Sequence, residues 1–390
     1  MSKDRKQAIP AFIDLAAQRE RLGDRVEKAI SAVLEHGQYI LGPEVVELER
    51  ELAAFCGARH CITCANGTDA LLLALMAEGI GAGDAVFVPA FTFVATVEVP
   101  ILAGATPVFV DVHPDSFNLD AESLEAAIGE AKRRGLNPRC VIAVDLYGQP
   151  ADYPAINRVA EAHDLLVIAD AAQSFGASLN GQKVGTLAPF TATSFYPAKP
   201  LGGYGDGGAV FTDDDSRAAR LLALRNHGKG PDRPDTEHVG LNSRLDSIQA
   251  AILLEKLRLF PDEIRARQDV ADRYNEALAS VVKVPELMPG ATSVWAQYTI
   301  VTDRRDEIAK VCREASVPTA IHYTASLNSL PPYRQLPTAP AGVPQAEFLA
   351  KRVISLPMHP YLSAEAQALI VDTVRLALGS SKAGIAHAAE

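Results

Sequence analysis

Between about residues 45 and 210 the chain alternates short apolar runs with amphipathic stretches, and that alternation leaves few folds open. The strand-like runs are HCITC, AVFVPA, TPVFVDV, CVIAVDLYG and LLVIAD. Between and around them lie EVVELERELAAFCG, GTDALLLALMAEGI, FTFVATVEVPILAG, AESLEAAIGEAKRRG and YPAINRVAEAHD, each with the spacing of a helix. Apolar runs of this length, joined by amphipathic helices, predict a mainly parallel sheet covered on both faces. Ligands of such sheets bind beyond the carboxyl ends of the strands, so the residues just after each strand are the first candidates for chemistry.

Past LLALRNHG the pattern changes. RLDSIQAAILLEKLRLFPDEIRARQDVADRYNEALASV predicts one long helical region, broken or kinked near Pro261. Shorter elements follow, with AQYTIVT a strand and LPPYRQLPTAPAGVP an irregular connector. A chain of 390 residues suits two domains, a large one over residues 1–262 with an N-terminal arm and a small C-terminal α+β one over residues 263–390.

Composition narrows the function. A net charge of −11 argues against binding nucleic acid or anionic lipid through bulk electrostatics. No segment reaches the roughly 18 charge-free apolar residues of a membrane span, and the first thirty residues lack the apolar centre of a signal peptide, so a cytoplasmic protein is expected. Five cysteines suit a reducing compartment better than a disulfide framework. Cys61 and Cys64 form a C-x-x-C, but no second such pair follows and the stretch reads as a strand entering a helix, so no metal is expected.

Four post-strand features make chemical sense together. NGTDAL places Gly67, Thr68 and Asp69 at a helix start, where backbone N–H groups and the helix dipole favour an anion; a plain N-cap is the alternative. Phe91 and Phe93 follow a strand, and an aromatic there can stack on a flat heterocycle or join the core. VIADAAQ ends a strand on Asp170, next to Gln173; a carboxylate there can keep a pyridine nitrogen protonated, or cap a helix. TSFYPAKPLGGYGDGG sets Lys199 between Pro197 and Pro200, after Ser194 and before five glycines. Prolines fix the approach of the chain and glycines allow tight folding, which suits an amine that forms a Schiff base. Gly203, Gly205 and Gly208 do satisfy G-x-G-x-x-G, but they precede a strand where the dinucleotide fingerprint must follow one.

In that order, NGTDAL, Asp170, Gln173, TSFYPAKPLGGYGDGG with Lys199, and GLNSRLDSIQAA resemble the pyridoxal-phosphate-dependent sugar-nucleotide aminotransferases of the DegT/DnrJ family, over nearly the whole chain. The resemblance implies an α/β fold of the aspartate-aminotransferase type, PLP fold type I. It implies pyridoxal 5'-phosphate on Lys199, Asp170 at the ring nitrogen, Gln173 at the ring's phenolic oxygen and Phe93 stacked on the ring. Gly67, Thr68, Asp69 and Ser194 would hold the phosphate, and Asn242 would reach the phosphate of the partner subunit in a homodimer with shared active sites.

EHGQYILGPEV, DAAQSFGA, VPTAIHY and SLPMHPYL are more similar to the branch that aminates 3-keto sugars, and within it to the enzymes that aminate UDP-2-acetamido-2-deoxy-3-oxo-glucuronate with L-glutamate. On that likeness Gly37, Tyr39, Arg244, His322 and Tyr323 would bind the nucleotide-sugar substrate, in the service of surface polysaccharide synthesis. Ala198 stands where that subgroup commonly has a serine, which keeps a dTDP- or GDP-linked 3-keto-6-deoxyhexose as an alternative. A non-enzymatic ligand-binding regulator on the same fold is the alternative of another class; it would have no need of Lys199.

Overall fold

The computed structural model describes residues 10–230 and 235–379; the outermost parts of both expected domains, residues 1–9 and 380–390, lie outside the described residues. Three helices precede the sheet: α1 (Leu15–Leu22), α2 (Arg25–His36) and α3 (Pro43–Cys56). Asp14 caps α1 by accepting from the Ala17 N–H at 2.8 Å, and Pro43 opens α3 where a missing N–H costs no hydrogen bond. The alternation then runs β1 (His60–Cys64), α4 (Gly67–Ala77), β2 (Asp84–Pro89), α5 (Ala95–Leu102), β3 (Thr106–Val110), α6 (Ala121–Arg133), β4 (Asn137–Val144), α7 (Tyr153–Ala162) and β5 (Leu166–Asp170). A small hairpin, β6 (Ser178–Leu179) and β7 (Gln182–Lys183), leads to β8 (Phe190–Ser194), β9 (Gly208–Thr212) and α8 (Asp215–Leu224).

Seven strands form one sheet in the order β1-β9-β8-β5-β4-β2-β3. β3, β2, β4, β5 and β8 are mutually parallel, and β9 runs antiparallel to both β8 and β1. The strands read as continuous apolar runs because alternate residues feed different cores. Val86, Val88, Ile142 and Ile168 pack on the α4–α5 side, while Ala85, Phe87, Val141 and Val167 pack on the α6–α7 side. This is the expected α/β arrangement.

Two local expectations change. The helix expected from Phe91 begins at Ala95, because residues 91–94 form a turn that buries Phe91 and leaves Phe93 half exposed. Of the break or kink expected near Pro261, the break does not occur: one 32-residue helix, α9 (Ser247–Leu278), runs through Pro261. An interior proline costs a helix about 3 kcal/mol, and here both flanks are anchored. Ala250, Leu253, Leu257 and Phe260 pack with α3 and β9, whereas Val270, Ala271, Tyr274 and Leu278 enter a separate core.

That second core is built by elements that follow, β10 (Tyr298–Val301), α10 (Arg305–Glu314), β11 (Val353–Leu356) and α12 (Ala364–Ala377), whereas α11 (Pro344–Ala350) between them packs Ala346, Leu349 and Ala350 back onto the α4–α5 side of the sheet. β10 and β11 pair antiparallel, and Ile300, Ile308, Ile354 and Ile370 meet the end of α9. The Pro-rich stretch before α11 is irregular, as expected. Among the described residues no helix is long and apolar enough to cross a membrane.

Candidate active site

The carboxyl ends of β1, β4, β5 and β8 face one edge of the sheet, and the strand order brings their following turns together. Asp170 ends β5 and is 7% exposed. Its Oδ1 accepts from the Ala172 N–H at 3.1 Å and its Oδ2 from the Thr96 hydroxyl at 3.4 Å. Burial pushes the carboxyl above its ordinary range, while the Ala172 N–H, the Lys199 charge and the Thr96 hydroxyl pull it back.

Lys199 stands at the tip of a closed loop. The Gly203 N–H donates to the Phe195 carbonyl at 2.7 Å and the Lys199 N–H to the Tyr196 carbonyl at 2.8 Å. Gly202 is what lets the chain return, since a Cβ there would lie 2.5 Å from the Pro197 carbonyl oxygen. Burial draws the ammonium below its ordinary value and Asp170 opposes that shift. The result favours an amine that sheds its proton more easily than a surface lysine, which is the form that attacks a carbonyl.

Gln173 is buried and its amide is oriented from two sides. Its Oε1 accepts from the Tyr147 N–H at 2.8 Å, and its Nε2 donates to the Tyr323 hydroxyl at 3.4 Å. Tyr323 and His322 come from the irregular segment after α10, so the C-terminal core closes over the strand edge. The His322 carbonyl accepts from the Tyr147 hydroxyl, and His322 Nδ1 lies 3.3 Å from Ser355 Oγ. Burial lowers the His322 pKa and the Lys199 charge lowers it further; burial raises that of Tyr323. Phe93, 53% exposed, offers an open ring 6.3 Å from that of Tyr323, while Phe91 belongs to the core.

The start of α4 is pressed against the end of β8. Asn66 caps the helix by accepting from the Asp69 N–H at 2.8 Å. A Cβ on Gly67 would lie 2.7 Å from Ser194 Cβ, and one on Gly208 would lie 2.4 Å from the Asn66 carbonyl oxygen. These two glycines bring Gly67, Thr68 and Asp69 beside the Ser194 hydroxyl, a helix N-terminus with the chemistry of a phosphate cradle.

The remaining candidates gather elsewhere. Gly37 ends α2 at φ 71°, and Tyr39 is 48% exposed, its carbonyl accepting from the Ser247 N–H at 2.9 Å. Asn242 is exposed and bridges Asn226, whose Oδ1 accepts from Arg244 Nη1 at 2.7 Å. Among the described residues no hydrogen bond or ion pair joins this group to Lys199, Asp170 or Gln173. Sequence reasoning missed Thr96 and Tyr147. Thr96 sits in a stretch that reads as ordinary helix, and Tyr147 contributes a backbone N–H that carries no residue signature.

The C-x-x-C is settled by strand geometry. Cys61 packs with α3 and Cys64 with α4, on opposite faces of β1. Both are buried free thiols pushed above their ordinary pKa by burial, and among the described residues no cluster of His, Cys, Asp and Glu could hold a metal.

A profile described as the DegT/DnrJ/EryC1/StrS aminotransferase family matches residues 20–375. Over 352 residues, 90% of this chain and 95% of the relative, the sequence is 49% identical to the UDP-2-acetamido-2-deoxy-3-oxo-D-glucuronate aminotransferase of Pseudomonas aeruginosa. A crystal structure of a DegT DnrJ EryC1 StrS aminotransferase from Brucella abortus matches with a TM-score of 0.93 at 51% identity, over 95% of this chain and 99% of that one. NtdA from Bacillus subtilis, solved with bound cofactor PMP, matches with a TM-score of 0.86 at 27% identity, over 97% of this chain and 87% of that one.

Proposed function

The chain belongs to the DegT/DnrJ/EryC1/StrS aminotransferase family, with the α/β architecture of PLP fold type I, and from that premise we propose that it moves the amino group of L-glutamate to the keto carbon of UDP-2-acetamido-2-deoxy-3-oxo-D-glucuronate, with pyridoxal 5'-phosphate as cofactor. The observation that carries this reading is the amine of Lys199 lying within the field of buried Asp170 at the strand edge, with Gln173 beside it. The substrate rests on the likeness to the Pseudomonas relative, and a role in surface polysaccharide synthesis goes with it.

The residues fit the cofactor. Glycines at 67 and 208 let the start of α4 approach the Ser194 end of β8 closely, Asp170 supplies a buried carboxylate, and Phe93 presents an exposed ring. When bound, the cofactor delocalises the electron pair left as the substrate carbon loses its proton. Lys199 would hold the cofactor through its aldehyde carbon and would carry that proton, and burial, by lowering its pKa, makes the amine a readier base than a surface lysine. Asp170 would keep the ring nitrogen protonated, and Gln173 would orient the phenolic oxygen. His322 and Tyr323 contact the sugar from the C-terminal side.

Gly37, Tyr39, Asn242 and Arg244 serve the site of a second copy, which accounts for the exposure of the first three and for the separation of all four from Lys199. Arg244 offers a guanidinium to the sugar's carboxylate. A homodimer in the cytoplasm completes the reading, and a light-scattering mass of one chain would contradict the shared sites.

An absorbance spectrum of the protein with added cofactor tests the core of it. A visible band that bleaches with L-glutamate and returns with the 3-oxo-glucuronate substrate is expected. No band, or a band indifferent to glutamate, overturns the reading; faster recovery with a dTDP- or GDP-linked 3-keto-6-deoxyhexose reassigns the substrate.

A further inference from the structure

β4 and β5 lie side by side with Val144 opposite Asp170, and the turns that follow them are tied together. The Asp145 N–H donates to the Asp170 carbonyl at 3.0 Å. The Asp145 side chain, 0% exposed, accepts from Ser174 Oγ at 2.6 Å, from Tyr153 Oη at 2.8 Å and from the Ala151 N–H at 2.8 Å. Ser174 is equally buried, and its own N–H donates to the Ala171 carbonyl at 3.1 Å. Asp170, Ala171, Gln173 and Ser174 are thus one turn, held by Asp145 through Ser174 and by Tyr147 through Gln173.

An acceptor-only group is the natural solution where three donors converge, since a carboxylate offers lone pairs to all of them and no competing proton. All three donors are neutral, so the negative charge gains hydrogen bonds but no counter-ion from them, which makes it an expensive group to bury. The titratable groups facing it are Tyr153 from α7 and Asp170 from β5. Lys199 acts on Asp170 from the turn after β8, and Tyr323 lies in the field of Asp170 from the C-terminal side. Burial pushes the Asp145 carboxyl up to about 7 against the three hydrogen bonds, and the Asp170 charge pushes in the same direction as burial. A core polar residue kept only for packing has no need of an ionisable carboxyl one strand away from another carboxylate.

We propose that Asp145 is a positioning residue for the transamination: through Ser174 it locks the turn that presents Asp170 and Gln173, and its charge, added to that of Asp170, favours protonation of the bound cofactor. This inference rests on the transaminase reading above. It concerns a side chain that touches neither substrate nor cofactor, and acts through two that do.

The test uses the full-length holoenzyme and three variants. Asp145→Asn keeps size and removes charge, Ser174→Ala removes the strap, and Ser174→Thr restores a hydroxyl. In Asp145→Asn, kcat is expected to fall about ten- to a hundredfold with the KM for the nucleotide sugar unchanged, an effect in the lower range of one lost electrostatic or proton-transfer contribution. The midpoint pH of the cofactor's visible band is expected to move down by about one, because a cationic centre that loses a nearby negative charge gives up its proton more readily. Ser174→Ala is expected to show the kcat loss with a smaller midpoint shift, and Ser174→Thr to recover most of the wild-type rate.

Wild-type kcat and midpoint in both Asp145→Asn and Ser174→Ala overturn the proposal. So does a loss that tracks only the melting temperature while the band keeps its midpoint, since a purely structural role would do that. If Asp145→Asn fails to fold, Ser174→Ala and Ser174→Thr decide the question by the same measurements. A wild-type protein that shows no band at all removes the transaminase reading and this inference with it, so the two failures are distinguishable.

Discussion

Two regions of this molecule bury ionisable side chains, and they do so in opposite ways. Along the second half of α9, Glu263 and Arg267 are almost fully buried. Glu263 accepts from Gln18 Nε2 at 2.9 Å and from the Tyr361 hydroxyl, and Arg267 Nη1 donates to the Trp295 carbonyl at 3.0 Å. Burial lowers the Arg267 pKa to about 10 and the Glu263 charge holds it up. At the strand edge, Asp170 and Lys199 influence each other's charge, yet the Lys199 amine makes no hydrogen bond among the described residues. The α9 group uses its hydrogen bonds to tie α1, the chain before β10 and the chain after β11 to the helix. The strand-edge group leaves that amine without a hydrogen bond, beside a buried carboxylate and an exposed aromatic ring. Burial of charge alone does not mark a site, and neither does an unpartnered atom, since Arg267 Nε and Gln18 Oε1 are buried without a partner among the described residues as well; what separates the strand edge is that its amine, carboxylate and exposed ring stand together.

The comparison predicts that substitutions at the edge damage activity and those along α9 damage stability. Lys199→Ala should lower turnover at least about 10⁴-fold, the upper range of a positioned proton-transfer group, with an unchanged denaturation midpoint; turnover near wild type would dissolve the distinction at once. Asp170→Asn comes next, with a loss of about 10²- to 10³-fold in kcat and a cofactor band altered in position or pH midpoint, measured by steady-state kinetics and absorbance.

On the other side, Glu263→Gln should cost about 3 kcal/mol of stability, since it strips a buried guanidinium of its counter-charge. Urea denaturation measures the loss, and kcat per folded molecule should stay at the wild-type value. The smallest effect is expected at Lys256, whose ammonium lies beneath the Tyr204 ring and is pushed down to about 8 by burial. Its folded-state pKa is below its ordinary value of 10.5, so the unfolded chain binds the proton more tightly and wild-type stability rises as pH goes from about 8 to 10.5. Lys256→Met should flatten that rise and gain about 1 kcal/mol at pH 7; an unchanged pH profile would place the ammonium in contact with solvent.

The sheet was legible in the sequence because burial on both faces writes itself as continuous apolar runs, and a strand's alternation then separates Val86 from Phe87 without any polar marker. Asp170, Gln173 and Lys199 were legible for a related reason: each follows a strand, and parallel strands bring their ends together whatever the distance along the chain. Thr96 and Asp145 were not. Both touch the site only through the packing of one element on another, and nothing in residue type or spacing announces a hydroxyl aimed at a carboxylate 74 residues away. Pro261 does not break the helix. Its cost to a helix is local, and the two cores that grip α9 outweigh it. The exposed Tyr39 and Asn242 give no meaning to a single chain, and only a resemblance could single them out.

α9 also limits how this chain can be cut and recombined. A chimera joined near residue 262 would splice two half-helices whose buried faces were matched to different partners, and the phase of every later side chain would depend on a seam in mid-turn. Exchanging parts with a relative should instead carry the whole rod from Ser247 to Leu278, with the seams in the chain on either side of it. The unit of inheritance in such a molecule is the spar that joins its two cores, and a recombinant that divides it should fail before its chemistry is ever asked to work.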